Sequence, residues 1–326
     1  MKKEKNILIT GESGFIGSHL IDFFVRNYSK YNIYGLDVLS YASNKKLTNH
    51  LFEFPNYFFE KLDIRNRDEI FKFFKKNAIT DVINLAAESH VDNSISNPIL
   101  FAETNIIGTI NLLDAFKKYS SGRFHHVSTD EVFGDLGPND KPFNEMSPYL
   151  PNSPYAASKA SSDHFVRAYH KTFNSDVIIT NCSNNFGPHQ HAEKFIPTVI
   201  NSIKNNKLIP IYGNGKNIRD WLYVKDHVSA IDLVFHNGMS GNTYNIGANN
   251  ELSNNELVSL ICDIFIEKKY HDRPKELVSF ISDRPGHDRR YAVDCNKIKK
   301  NLSWVCQYDF KQSLSDTIDW YFKKSD

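Results

Sequence analysis

The feature that most constrains the fold is a glycine-rich turn between a short apolar strand and an apolar helix. Residues 7–9 form a continuous apolar run, which is typical of a strand buried on both faces of a parallel sheet. The turn after it has the pattern G-x-x-G-x-x-G, formed by Gly11, Gly14 and Gly17. Glycines there allow a tight turn and close packing of helix on strand, and the helix N-terminus offers N–H groups to a phosphate. The turn therefore predicts a dinucleotide-binding βαβ unit.

Strand-like and helix-like patterns alternate through the first half of the chain. Strand patterns lie near residues 33–36, 57–61, 82–85, 124–127 and 177–180, and helical patterns lie near 15–25, 67–76, 99–118 and 155–173. This alternation predicts an α/β fold built on a Rossmann-type, doubly wound parallel sheet. We expect residues 1–182 to form mainly this domain. Residues 183–326, with loops rich in Asn, Gly and Pro, are predicted to form a smaller, mixed α/β substrate-binding lobe, with segments near 219–247 returning to the first domain.

The composition argues against several kinds of partner. With 39 basic and 38 acidic residues, the chain has no bulk charge that would attract nucleic acid or an anionic membrane. It has no run of about 18 consecutive apolar residues, so no membrane span is expected. Its four cysteines form no C-x-x-C pair, and His189, His191 and His287 lie among prolines and glycines, so we expect no metal. The N-terminal apolar run is too short for a signal peptide, which predicts a cytoplasmic protein.

Asp37 is the second sign of a dinucleotide site. It ends the second predicted strand, 20 residues after Gly17. A carboxylate there can accept hydrogen bonds from both ribose hydroxyls of an adenosine, and it repels a 2′-phosphate. The alternative is a solvated turn aspartate. In the context of the glycine turn, Asp37 predicts that the cofactor is NAD and not NADP.

A tyrosine and a lysine form the motif Y-x-x-x-K on the last helix of the first domain. Tyr155 and Lys159 share one helix face, so the ammonium can lie near the phenol. A free phenol has a pKa of about 10 and is a poor base, but a nearby cation lowers that pKa. The motif follows Ser128 and Thr129, which end a predicted core strand. This combination predicts that Tyr155 takes a proton from a substrate hydroxyl.

Residues 128–134, STDEVFG, resemble the S-T-D-E-V-Y-G signature of the dTDP-glucose 4,6-dehydratases, a family in the nucleotide-sugar branch of the extended short-chain dehydrogenases/reductases. The resemblance continues through LAAESHVDNSI (85–95), SNNFGPHQ (183–190), EKFIP (193–197), RDWLYVKDH (219–227), YNIG (244–247) and DRPGHDRRY (283–291). It therefore covers nearly the whole chain, with several matches of eight or more residues. One departure is Glu12, at a position where this branch usually has a second glycine. Its side chain must point away from the pyrophosphate.

The resemblance implies NAD-dependent dehydration of dTDP-glucose to dTDP-4-keto-6-deoxyglucose. C4 is oxidised, water is eliminated across C5 and C6, and hydride returns to C6. Thr129, Tyr155 and Lys159 would serve the oxidation. Asp130 would be the acid toward the C6 oxygen and Glu131 the base at C5. Adjacent carboxylates usually belong to a solvated turn, but a dehydratase needs both an acid and a base, whereas a 4-epimerase needs neither.

The resemblance also predicts two sets of binding residues. The cofactor set is Gly11, Gly14, Phe15, Ile16, Gly17, Asp37, Asp63, Ile64, Leu85, Ala86, Ala87, Thr104, Tyr155, Lys159 and Asn185. The substrate set is Ser89, Thr129, Asn184, Glu193, Lys194, Phe195, Pro210, Tyr212, Arg219, Asn254, Arg284, His287 and Tyr291. Arginine suits the second set because its planar guanidinium matches phosphate oxygens. The expected partner is thus a nucleotide-diphosphate sugar.

In the family, the helices near residues 99–118 and 155–173 build the four-helix bundle of a homodimer. We expect a homodimer here as well, with Phe101, Ile106, Phe165 and Tyr169 on the outer faces of these helices.

Three alternatives remain open at this point. The first is a 4,6-dehydratase that acts on UDP- or CDP-glucose, because the base contacts are the least readable part of the sequence. The second is a nucleotide-sugar 4-epimerase, against which Asp130 and Glu131 argue. The third is a non-catalytic NAD-binding protein, which would have no use for Thr129, Tyr155 and Lys159.

Overall fold

The computed structural model describes residues 5–323 and is built around a parallel sheet of seven strands. The strands of this sheet and of two smaller sheets are β1 Asn6–Thr10, β2 Asn32–Asp37, β3 Tyr57–Lys61, β4 Asp81–Asn84, β5 Phe124–Thr129, β6 Val177–Cys182, β7 Asn184–Phe186, β8 Ile209–Tyr212, β9 Ile218–Tyr223, β10 Thr243–Ile246, β11 Glu251–Ser253 and β12 Val278–Ile281. The helices are α1 Phe15–Asn27, α2 Arg67–Asn77, α3 Val91–Ser96, α4 Pro98–Phe101, α5 Thr109–Tyr119, α6 Pro154–Phe173, α7 Phe195–Lys204, α8 Val224–Asn237, α9 Asn254–Glu267, α10 Asn296–Leu302 and α11 Phe310–Lys323.

The large sheet has the order β10-β6-β5-β4-β1-β2-β3, and all of its strand pairs are parallel. Every residue of β4, β5 and β6 is buried, including the polar ones, because this part of the sheet is covered on both faces. The chain moves outward from β1 through β2 to β3 and then returns to β4 on the other side of β1. This reversal leaves a crevice at the carboxyl ends of β1 and β4, where ligands bind in this class of fold. The predicted Rossmann-type sheet is confirmed.

Two smaller sheets form the second lobe. One has the order β11-β9-β7, and the other pairs β12 with β8. They share a hydrophobic core with α7, α9 and α11, which contribute Ile200, Ile261 and Ile318, all fully buried. The chain also returns to the large sheet, because β10 pairs with β6 and α8 packs on α1.

Helix ends follow from local capping chemistry. At the start of α9, the Ser253 hydroxyl accepts from the N–H of Glu256 at 3.2 Å, and the Glu256 carboxylate accepts from the N–H of Ser253 at 2.7 Å. This reciprocal pair satisfies two N–H groups that the helix leaves open. At the end of α6, Asn174 takes a left-handed conformation with φ 55°, a conformation that ends many helices.

Helices α4 and α5 belong to one continuous helix, Pro98–Tyr119, interrupted by π-helical turns over Ala102–Gly108. Within the described range it is the one helix whose length and composition would allow it to cross a membrane. Half of its most apolar window is buried inside the protein, and the helix packs on α6.

The outer faces of Pro98–Tyr119 and α6 differ from the prediction. Phe101 and Tyr169 are core residues, with 1% and 9% of their surface exposed. Phe165 is exposed as expected, and Ile99 and Ile107 are the most exposed apolar side chains of the longer helix, at 66% and 50%. The prediction for Phe101 and Tyr169 was wrong because the sequence pattern of these two helices does not reveal which helix face packs inward.

Candidate active site

A cleft of about 570 Å³ opens at the carboxyl ends of the central strands. All of the predicted cofactor-binding residues line it, and so do the predicted catalytic residues Thr129, Asp130, Glu131, Tyr155 and Lys159. Parallel packing explains this convergence, because the carboxyl ends of neighbouring strands meet at one edge of the sheet. Within residues 5–323, no group of three or more His, Cys, Asp or Glu side chains could hold a metal ion.

The glycine turn leaves room for backbone-to-phosphate contact. Gly11 has φ +71°, and a Cβ added there would lie 2.9 Å from the nitrogen of Ala86. Gly14 is the N-cap of α1 and offers no side chain, so the first N–H groups of the helix can reach a phosphate. The residues present therefore fit the pyrophosphate of a dinucleotide.

Gly17→Ala is expected to lower the free energy of unfolding by about 1–3 kcal/mol through overpacking. A Cβ at Gly17 would lie 2.0 Å from the carbonyl oxygen of Gly11, a backbone atom that cannot move without deforming the turn. Chemical denaturation measures the change. Gly14→Ala is the matched control, since its Cβ would meet the same oxygen at 3.2 Å. Equal losses in the two variants would contradict this account of the packing.

Asp37 is held in place by donors from two segments. Its carboxylate accepts from the N–H of Ser13 at 3.0 Å, the N–H of Leu39 at 2.7 Å and the hydroxyl of Ser43 at 2.7 Å. The side chain is nearly buried yet lines the cleft. A carboxylate fixed in this way suits the two hydroxyls of an adenosine ribose and disfavours a 2′-phosphate.

The predicted catalytic carboxylates follow β5 in a tight 3₁₀ turn, Asp130–Phe133. Thr129 caps the turn, because its hydroxyl accepts from the N–H of Glu131 at 3.3 Å. Asp130 is 2% exposed, and its Oδ2 has no hydrogen-bond partner. Burial, with the charge of Glu131 second, raises the pKa of Asp130 well above its usual range. The site thus favours a protonated Asp130, which can act as an acid.

Glu131 is partly buried, and its pKa is also raised by removal from water. The positive charges of Arg284, Arg219 and Lys194 oppose this shift, in that order. They stabilise the ionised form of Glu131, whereas Asp130 is pushed further toward the neutral form by Glu131 itself. Two adjacent carboxyl groups thereby acquire different tendencies to hold a proton, as an acid–base pair requires.

Tyr155 and Lys159 lie one turn apart on α6, which starts at Pro154 with the Ser153 hydroxyl accepting from the N–H of Ala156 at 3.1 Å. Burial and the charge of Glu131 raise the pKa of Tyr155 well above its usual range.

The predicted lowering of the Tyr155 pKa by Lys159 is not seen in this structure. The Lys159 ammonium donates to the carbonyl oxygen of Val127 at 2.8 Å and lies 3.4 Å from Nε2 of His126. Burial lowers the pKa of Lys159, and the carboxylate of Asp163 opposes that change. Tyr155 and Lys159 lie on one face of α6, as their i to i+4 spacing predicted. The Lys159 ammonium, however, donates to a backbone carbonyl oxygen of β5.

The predicted substrate-binding residues fall into two groups. The residues that line the cleft are Ser89, Thr129, Asn184, Glu193 and Lys194. Those outside its lining are Phe195, Pro210, Tyr212, Arg219, Asn254, Arg284, His287 and Tyr291. The structure therefore brings only part of this predicted set to the cleft.

Asp92 on α3 accepts hydrogen bonds from two of the predicted residues that lie outside the cleft lining, and it was not itself predicted as a site residue. One carboxylate oxygen accepts from Nη1 of Arg284 at 3.3 Å, and the other accepts from the hydroxyl of Tyr212 at 3.3 Å. The guanidinium of Arg219 lies 4.4 Å from the centre of the Tyr291 ring. No local pattern marks Asp92, since its partners are more than a hundred residues away along the chain.

Asn105 is a second residue that the sequence analysis missed. It lies in the π-helical turns, and its side chain accepts from the N–H of Glu88 at 2.9 Å and donates to the Glu88 carbonyl oxygen at 3.0 Å. It also donates to the hydroxyl of Ser158 at 2.8 Å. These bonds fix the cleft-lining residues 85–89 against α6.

Comparisons with known proteins identify the family. A family model described as GDP-mannose 4,6 dehydratase matches residues 8–317. The chain is 47% identical to the dTDP-glucose 4,6-dehydratase of Haemophilus influenzae, over 98% of each chain. The dTDP-glucose 4,6-dehydratase of Streptomyces venezuelae, solved with NAD bound, matches at a TM-score of 0.90 and 39% identity, over 97% of this chain and 96% of the other. The UDP-glucose 4-epimerase of Thermotoga maritima matches at a TM-score of 0.89 and 26% identity, over 98% and 99%.

The fold and the cleft define a short-chain dehydrogenase/reductase of the extended, nucleotide-sugar branch. High structural similarity to an epimerase shows that the fold alone does not select among reactions within this branch. The chain belongs to the dTDP-glucose 4,6-dehydratase family, as its identity to curated members over nearly its full length shows. The resemblance predicted from the motifs is confirmed.

Proposed function

We propose that this protein dehydrates dTDP-glucose to dTDP-4-keto-6-deoxyglucose, with NAD as a cofactor that is regenerated in each turnover. The observation that carries the proposal is the buried Asp130 beside Glu131, in the same cleft as Tyr155 and the glycine turn. Dehydration needs one group that donates a proton and one that accepts one. Burial raises the pKa of both carboxyls, but the charge of Glu131 adds to the shift at Asp130, whereas three cations oppose the shift at Glu131.

The glycine turn and Asp37 would hold NAD in the cleft, where the cofactor would supply hydride transfer from C4 of the sugar and back to C6. Tyr155 takes the proton of the C4 hydroxyl, and its hydrogen bond with Thr129 opposes the burial that disfavours the tyrosinate. A direct role of Lys159 in this step would require its ammonium to turn from the carbonyl oxygen of Val127 toward the Tyr155 hydroxyl.

Elimination of water is the work of the two carboxyls. The ketone at C4 makes the C5 proton acidic, and Glu131 accepts that proton. Asp130 donates its proton to the C6 oxygen, which leaves as water. Glu131 then returns a proton to C5 when C6 is reduced, and the proton that Tyr155 took from C4 balances the one that Asp130 gave. The cations Arg284, Arg219 and Lys194, whose charges reach Glu131, are placed to hold the diphosphate.

The test is an assay of purified protein with dTDP-glucose, UDP-glucose and CDP-glucose, read by the alkali-induced absorbance of the 4-keto-6-deoxy product. We expect kcat/KM to be highest for dTDP-glucose. A preference for UDP- or CDP-glucose would overturn the assigned base and keep the reaction. A 4-epimer as the product, or no product from any donor, would overturn the dehydratase assignment.

We also propose a division of labour between the lobes and a cytoplasmic location. Residues 1–182 would mainly bind NAD and residues 183–326 mainly the nucleotide sugar, with β10 returning to the large sheet, a division supported by its pairing with β6. Four free cysteines support a reducing compartment.

The protein is further proposed to be a homodimer that pairs through Pro98–Tyr119 and α6, because Ile99, Ile107 and Phe165 are exposed there. Ile107→Glu is expected to weaken the dimer at least about tenfold, since it would bury an unpaired charge in an apolar interface. Sedimentation velocity over a range of concentrations measures this. Phe280→Glu is the control, because Phe280 is 57% exposed on β12, outside these helices. A monomeric wild-type protein, or an equally dimeric Ile107→Glu variant, would contradict the proposal.

A further inference from the structure

Glu12, the departure from the usual glycine, is fully buried beneath the glycine turn. Its side chain does not line the cleft, and a Cβ added at Gly35 of β2 would lie 2.8 Å from its Cγ. The Glu12 side chain therefore lies beside Gly35 of β2 and points away from the cleft in which the phosphates would bind. A buried carboxylate is strongly unfavourable unless it is paired and hydrogen-bonded.

Lys45 supplies the pairing charge. Its ammonium lies 2.9 Å from Oε1 of Glu12 and donates to the hydroxyls of Thr48 at 3.0 Å and Tyr57 at 2.6 Å. The Tyr57 hydroxyl in turn donates to Oε2 of Glu12 at 2.9 Å. The ammonium also lies 3.7 Å from the centre of the Phe59 ring. The pair is thus bordered by hydroxyl groups and an aromatic face, with Glu12 fully buried and 20% of the Lys45 side chain exposed.

The pair joins the glycine turn to the segment at residues 38–48, which follows β2. Ser13 donates its hydroxyl to Glu12 at 2.7 Å and its N–H to Asp37 at 3.0 Å. On the other side, Ser43 donates its hydroxyl to Asp37 at 2.7 Å, and the N–H of Asn44 donates to the carbonyl oxygen of Ser13 at 2.8 Å. Asp37 is therefore oriented by two segments that Glu12 and Lys45 tie together.

We propose that Glu12 and Lys45 are positioning residues for NAD: their ion pair holds residues 38–48 against the glycine turn and thereby orients Asp37 toward the ribose. This inference rests on the proposed NAD-dependent function. Residues 38 and 40–43 line the cleft, so a loss of the pair would loosen one wall of the cofactor site. The reacting carboxyls follow β5, which lies three strands from β2 in the sheet, and would keep their geometry.

The test compares Glu12→Gln and Lys45→Met with the wild type by NAD dissociation constant and by kcat at saturating NAD. We expect each variant to raise the NAD dissociation constant about tenfold while kcat changes less than about twofold. The double variant is expected to bind NAD better than the sum of the single effects implies, because neither partner then leaves an unpaired buried charge. Lys45→Arg keeps the positive charge and should therefore retain much of the affinity for NAD.

Lys46→Met is the matched control, because Lys46 is exposed in the same turn, and it should bind NAD like the wild type. If a buried-pair variant does not fold, Tyr57→Phe removes one hydroxyl of the network and should raise the NAD dissociation constant about threefold. Variants that lose thermal stability but bind NAD with unchanged affinity would overturn the inference. Failure of the wild type to bind NAD would instead overturn the proposed function, so the two failures are distinguishable.

Discussion

Glu131→Gln is expected to lower turnover by about a thousandfold while C4 oxidation continues. Glutamine keeps the shape of the side chain but cannot accept the C5 proton, so elimination stops after the first step. The reduced cofactor should therefore accumulate and be visible by its near-ultraviolet absorbance when substrate is added. Steady-state product formation and a single-turnover absorbance trace together measure the two effects.

The control for this variant is Glu69→Gln. Glu69 is a partly exposed carboxylate of α2 whose partner is Lys72 at 2.8 Å, and it does not line the cleft. It should turn over like the wild type and accumulate no reduced cofactor. Normal turnover in Glu131→Gln would refute the role of Glu131 as the base, and a loss of both turnover and cofactor reduction would place it in the oxidation step instead.

Tyr155→Phe is expected to lower turnover by a comparable factor, about a thousandfold, but without any reduced cofactor. Phenylalanine removes the group that takes the C4 hydroxyl proton, so the reaction stops before elimination begins. The ring itself packs against Phe101, and this contact is retained by phenylalanine, so the fold should be preserved. The same absorbance trace measures the result.

Tyr169→Phe is the matched control on α6, since the Tyr169 hydroxyl donates to Asp114, outside the cleft. It should change turnover little. If reduced cofactor formed in Tyr155→Phe as fast as it forms in the wild type, Tyr155 would be excluded as the base of the first step. Together, Glu131→Gln and Tyr155→Phe separate the oxidation step from the elimination step within one cleft.

Much of the large sheet was predictable because its physical cause is local. The buried strand β1 contains a short continuous apolar run, and the glycine turn after it needs residues without a Cβ. The short strands β7 and β11 have only three residues each, too few for a periodic pattern. The helix α3, with Asp92, was missed for the same reason, because six residues contain less than two turns.

The site shows the same division. The glycine turn, Asp37, the Y-x-x-x-K motif and the adjacent carboxylates are short patterns, and the structure brings them all to one cleft. Asn105 gave no sign in the sequence, because its role depends on a contact with Ser158 across two helices. The spacing of Tyr155 and Lys159 was right, but the direction of the ammonium depended on Val127 of a neighbouring strand.

By itself the sequence determined the class of fold and the kind of cofactor, because these depend on residue type and short spacing, and its resemblance to a known family predicted the reacting groups. The tertiary structure decided that the pKa of Asp130 is raised well above its usual range, since that depends on burial and on the neighbouring charge of Glu131. It also decided how Glu12 is accommodated, through a lysine 33 residues away along the chain. Burial and pairing are properties of the folded chain, so no local pattern could have revealed either result.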